Sequence, residues 1–117
     1  MAARTFRIFS HWLVRGQRLD VRQPADSLVT ALGCIGCEGG DGYRLLVYFT
    51  DAEPLPAGTS DEEARLSTMY LPLSHWPDVV DLLRNGPMLC AYVDSSAPQR
   101  NALQTVDTVA PEGIVRA

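Results

Sequence analysis

The sequence predicts an α+β fold: a mostly antiparallel, curved sheet or small barrel of five to six strands, with one packed helix at about residues 74–85. Three observations carry that expectation. Residues 66–95 read as strand, capped helix, stop and strand; residues 27–50 read as two β-rich runs around a glycine-rich turn; and most connections are short, which favours antiparallel pairing. With a single helix to cover a face, the sheet must curl over it or close on itself, as in small barrels of the OB or SH3-like kind.

In chain order, residues 6–14 alternate, with Phe6, Ile8, Trp12 and Val14 on one face and Arg7, His11 and Arg15 on the other. Phe9 and Leu13 break the pattern and imply partial cover of the second face. Gly16-Gln17 reads as a turn before a short strand at 18–22, and Gln23-Pro24-Ala25-Asp26 punctuates the chain. Residues 27–35 are largely apolar on both faces, as in a central strand or a barrel wall. Residues 36–42 hold four glycines and read as a turn, and residues 43–50 are β-formers throughout, so a hairpin is expected. Residues 51–65, with two prolines, a glycine and five acids, show no periodicity and read as a solvated insertion. Within them, Ser60-Asp61-Glu62-Glu63 has capping-box form.

Residues 66–73 place Met69, Leu71 and Leu73 on one face and Thr68 and Tyr70 on the other, with Pro72 marking an edge or the approach to the helix. Ser74 is the expected N-cap, and Pro77 fits the first turn. Trp76, Val79, Val80 and Leu83 recur at helical spacing, and Asp78, Asp81, Arg84 and Asn85 take the opposite side. Gly86 and Pro87 supply the stop. So short a helix is marginal alone and must dock its stripe on the sheet. Residues 88–94 and 101–109 are the last expected strands, with a fraying tail from Pro111.

At 117 residues the chain is expected to form a single domain, 1–117, able to bury its own core. Its 46% hydrophobic and 21% charged composition is that of an ordinary soluble protein. No apolar run is long enough to span a bilayer, and Arg7, His11 and Arg15 interrupt any signal-peptide core, so a cytoplasmic bacterial protein is expected. The net charge of −4 hides an asymmetry. Five arginines and one acid precede residue 23, whereas five arginines and thirteen acids follow it.

Motifs for chemistry are few. Cys34-Ile35-Gly36-Cys37 has the spacing of a thiolate pair, but a closed zinc site needs four ligands, and Cys90, His75 and His11 make no second compact pair. A redox role needs the motif to open a helix, whereas an acidic, glycine-rich turn follows. Inert reduced thiols, with no metal and no cofactor, are therefore expected. Asp78 and Asp81 sit on the exposed helix side, and the glycine run lacks the Lys and Ser/Thr of a phosphate loop. The aromatics are the better lead: Tyr48, Tyr70, Trp76 and Tyr92 are the expected pocket or interface residues, since each presents a ring with a polar tip.

The segment from Tyr70 through Leu73-Ser74-His75-Trp76-Pro77-Asp78 to Asn85 resembles a group of small uncharacterised bacterial proteins, some of which travel as mobile gene cassettes of integrons. The likeness covers residues 70–85, and it implies an accessory, often oligomeric protein without transferring any functional residue. The leading expectation is a non-enzymatic protein, a homodimer or higher homo-oligomer, that binds a small molecule or a protein partner. One alternative is a single-stranded nucleic-acid or nucleotide binder using Arg7, Arg15, Arg18 and Arg22, with Trp12 as a stacking platform. Another is a small enzyme using His75 or His11.

Overall fold

The structure, a computed structural model, describes residues 3–23, 28–85 and 88–105. Among them are eight strands, β1 (Ala3–Arg7), β2 (Ser10–Arg22), β3 (Leu28–Glu38), β4 (Arg44–Thr50), β5 (Thr59–Asp61), β6 (Leu66–Pro72), β7 (Leu89–Asp94) and β8 (Ala102–Thr105), and one α-helix, α1 (Trp76–Asn85), between β6 and β7. The α+β class is as expected. The strands, however, form two sheets that do not close into a barrel: a five-stranded one in the order β2-β3-β4-β6-β5 and a three-stranded one, β1-β7-β8.

The expected first strand divides between these sheets. The Ile8 N–H donates to the Leu89 carbonyl at 3.1 Å, and the next N–H, of Phe9, donates to the Glu38 carbonyl at 2.8 Å. Two residues thus carry the chain from one ladder to the other. Beyond them β2 runs on through Gly16, which is not a hairpin turn but a bulge: its φ is +92° and the β2–β3 register shifts between Arg15 and Leu19.

The glycine-rich turn also starts later than expected. β3 continues through Gly36 and Cys37 to Glu38, and the reversal is a 3-10 turn at Gly40–Gly42. Two glycines within β3 are seats for aromatic rings. A β-carbon at Gly33 would fall 2.9 Å from Cζ3 of Trp76, and one at Gly36 would fall 2.1 Å from Cε2 of Trp12. The hairpin of β3 with β4 is antiparallel, as expected, but β4 pairs with β6 in parallel. A parallel pair needs a crossover of a dozen or more residues, and residues 51–65 provide it. That segment is no mere insertion: it contains β5, antiparallel to β6. Its turn is capped by the Asp61 carboxylate, which accepts the Ala64 N–H at 3.1 Å, while the Ser60 hydroxyl bonds that of Ser67 at 2.9 Å.

The helix packs as its spacing demands. Val79 is buried, and Trp76, Val80 and Leu83 pack half-buried against a core that includes Phe6, Ile35, Val47, Phe49, Met69 and Val93. A 3-10 turn, Leu73–His75, leads into α1 with Pro72 at its boundary and no side-chain cap, so the expected Ser74 cap is not made. The expected stop at Gly86-Pro87, the turn at Pro24-Ala25-Asp26 and everything from residue 106 onward lie outside the described residues. Asn101, 7% exposed, ties the sheets together. Its side chain accepts the Asp94 N–H at 2.9 Å and donates to the carbonyls of Thr59 at 3.0 Å and Thr68 at 2.9 Å.

Candidate functional site

Because β3 and β4 are apolar on both faces, the five-stranded sheet has a core side and a second, outer side. Register assigns the residues. Ile35, Val47 and Met69 align across β3, β4 and β6 and enter the core. Their neighbours alternate outward: Val14, Cys34, Tyr48 and Tyr70 form one cross-strand row, and Trp12, Gly36, Leu46 and Thr68 the next. The rings of Tyr48 and Tyr70 stack with centroids 5.5 Å apart.

The distal arm of β2 bends back over this face. The Gln23 side-chain amide donates to the Tyr70 hydroxyl, although β3 and β4 stand between β2 and β6. In a flat sheet three strand spacings would hold those strands roughly 14 Å apart, beyond the reach of the two side chains. The Gly16 bulge supplies the bend, since an extra residue on one strand increases its local twist.

The result is an open groove of about 650 Å³ between the arm and the outer face. Trp12, Val14, Leu46 and Tyr48 form its apolar floor. Arg18 and Arg22 from the arm and Arg44 from β4 add three guanidinium groups, and Asp20 is the one carboxylate among the described lining residues. Trp12 remains 45% exposed, its indole lying across Gly36.

The structure divides both sets of expected site residues. Tyr48 and Tyr70 come together on the outer face. Trp76 instead packs edge-on against Phe49 on the core side, centroids 5.0 Å apart, under the Arg15 guanidinium at 5.6 Å. Tyr92 sits in the three-stranded sheet, opposite Thr5 and Ala102, with its hydroxyl 3.3 Å from Asp94. Of the basic set, Trp12, Arg18 and Arg22 share the groove with Tyr48, whereas Arg7 lies over Phe9 and Arg15 over Trp76. Val14, Leu46, Arg44 and Gln23 were missed. The signal for the first two was present, because strands apolar on both sides imply two covered faces.

Burial decides the state of the thiols. Desolvation pushes Cys34 up to about 11 and Cys37 up to about 12, the latter helped by Cys34, so neither is a thiolate at neutral pH. Burial also raises Tyr48 and Tyr70, and the Gln23 hydrogen bond partly opposes this at Tyr70. His11 lines a groove with Leu82 and Leu83, toward the C-terminal half of α1, and His75 is exposed just before the helix begins. Among the described residues no cluster of three His, Cys, Asp or Glu side chains is placed to hold a metal ion, and no helix is long and apolar enough to cross a membrane. Comparisons with protein-family models, curated proteins and solved structures find no match to this chain.

Proposed function

We propose that this protein is a non-enzymatic binding module that holds a small organic molecule in the groove between the β2 arm and the outer face of the five-stranded sheet. One observation carries the reading: an open groove of about 650 Å³ with an apolar floor and a half-exposed tryptophan. Ligand sites of small molecules typically occupy about 300–1,000 Å³, apolar on the walls with a few polar groups for orientation. A single exposed ring is ordinary, but Trp12 adjoins Val14, Leu46 and Tyr48, and contiguous apolar surface of this kind marks binding sites. The groove also has a defined shape, because Gly36 seats the indole and Gln23 ties the arm to Tyr70.

The test is a titration followed by the indole N–H signals of the two tryptophans in a nitrogen-15-labelled protein. The uncharged probe 2-naphthylmethanol should shift the Trp12 signal saturably and leave that of Trp76 in place. A titration to the solubility limit that moves neither signal, or moves Trp76 alone, contradicts the groove as a ligand site.

A further inference from the structure

We infer that the ligand of this groove is a flat aromatic molecule bearing an anionic group, its ring on Trp12 and its acid among Arg18, Arg22 and Arg44. This rests on the groove being a ligand site, and it adds the ligand's chemistry.

Charge is the first argument. The whole chain is acidic, with a net charge of −4, yet among the described residues that line this groove three are arginines and one, Asp20, is a carboxylate. That carboxylate, of Asp20, accepts the Thr30 hydroxyl at 3.3 Å. Glu38, outside the groove lining, stands opposite Arg44 in the β3–β4 register and accepts the Ser10 hydroxyl at 3.3 Å. The balance at the groove is thus reversed relative to the molecule, and guanidinium groups recognise carboxylates and phosphates with paired hydrogen bonds.

Shape is the second. Atoms Cε2, Cζ2 and Nε1 of Trp12 would all lie within 2.5 Å of a β-carbon at Gly36, so the indole lies along the strand backbone with its opposite face free for a second ring. Aromatic pairs favour such offset stacking, worth about 0.5–1.5 kcal/mol beyond area burial. Arginines close to a ring platform therefore select a molecule with both features.

A strand of nucleic acid fits less well. It needs a continuous basic track with successive platforms, whereas Arg7 and Arg15 lie over Phe9 and Trp76, outside the groove.

Three probes of one shape separate the possibilities: 2-naphthoate, 2-naphthylmethanol and 2-naphthylmethylammonium, each titrated by the Trp12 indole signal. The anion should bind at least ~10-fold more tightly than the alcohol, equivalent to about 1.4 kcal/mol, and the cation more weakly than either. Arg18→Gln combined with Arg44→Gln, both at exposed positions, should bring the anion to within ~2-fold of the alcohol. In the unsubstituted protein, raising salt from 0.05 to 0.5 M should shrink the same preference. If no probe binds, the groove reading itself fails. If all three bind alike, the groove stands and the anion inference fails, as it does if the preference ignores both the substitutions and the salt. Adenosine monophosphate tests whether the acid can be a phosphate. A ten-residue oligothymidylate binding more tightly than either anion overturns the small-molecule inference.

Discussion

Replacing Gly36 with alanine tests the geometry of the groove at one atom. The new β-carbon would stand 2.1 Å from Cε2, 2.3 Å from Cζ2 and 2.5 Å from Nε1 of Trp12. Carbon contacts settle near 3.5–4.0 Å, so the indole must retreat by roughly 1.5 Å. It has somewhere to go, because its outer face meets solvent. The cost should therefore lie near the lower end of overpacking, about 1 kcal/mol. Gly33→Ala is the control. There a β-carbon comes 2.9 Å from Cζ3 of Trp76 and 3.2 Å from Cδ of Arg15, and the ring cannot lift because Phe49 and Arg15 hold it. Its cost should reach about 1–3 kcal/mol. Urea unfolding gives both stabilities, and 2-naphthoate affinity separates the two sites. Gly36→Ala should weaken binding roughly tenfold, whereas Gly33→Ala should lose stability and bind within about twofold of the parent. Unchanged affinity and an unmoved Trp12 signal in Gly36→Ala would refute the seating of that ring.

Other outcomes follow from the same packing. Asn101→Ala removes the partner of the Asp94 N–H and of two strand carbonyls in a buried setting, and should cost about 2–4 kcal/mol in urea unfolding. Tyr70→Phe deletes the acceptor of the Gln23 amide, so hydrogen exchange across residues 18–23 should quicken while the core strands keep their protection. The cysteines Cys34 and Cys37 should react with a disulfide reagent at pH 8 only as fast as the protein opens, since near 11 and 12 the folded thiols are almost wholly protonated. Both values are raised, so the protonated form is favoured by folding. The thiols' contribution to stability should then be level below about pH 9, where unfolded thiols ionise, and should fall as pH rises from there through 11 to 12. Urea midpoints between pH 8 and 10.5 read that decline.

The helix was the most legible element, because Trp76, Val79, Val80 and Leu83 can face one way only at 3.6 residues per turn. The β3–β4 hairpin was legible for a similar reason, its β-formers flanking glycines. Glycine itself misled. Gly36 reads with its neighbours as a turn, and Gly16-Gln17 as another, although Gly36 seats an indole and Gly16 bends a strand. A sequence shows that a side chain is missing but not what fills the space. The parallel pairing of β4 with β6 was hidden for a different reason. The 51–65 connection has the length of a crossover, but its prolines and acids carry no period, and β5 spans only three residues. Part of the groove is legible as separate residues: Trp12, Arg18, Arg22 and Tyr48 line it, and Tyr70 stacks on Tyr48. Their assembly depends on the arm folding across the sheet, a tertiary event that local pattern does not encode.

The most direct measurement is the structure of the protein crystallised with 2-naphthoate. The account predicts the naphthalene ring against the indole of Trp12 and the carboxylate within hydrogen-bonding distance of Arg18 or Arg44. Electron density for the probe elsewhere, with the face of Trp12 bare or covered by the protein's own chain, would contradict it.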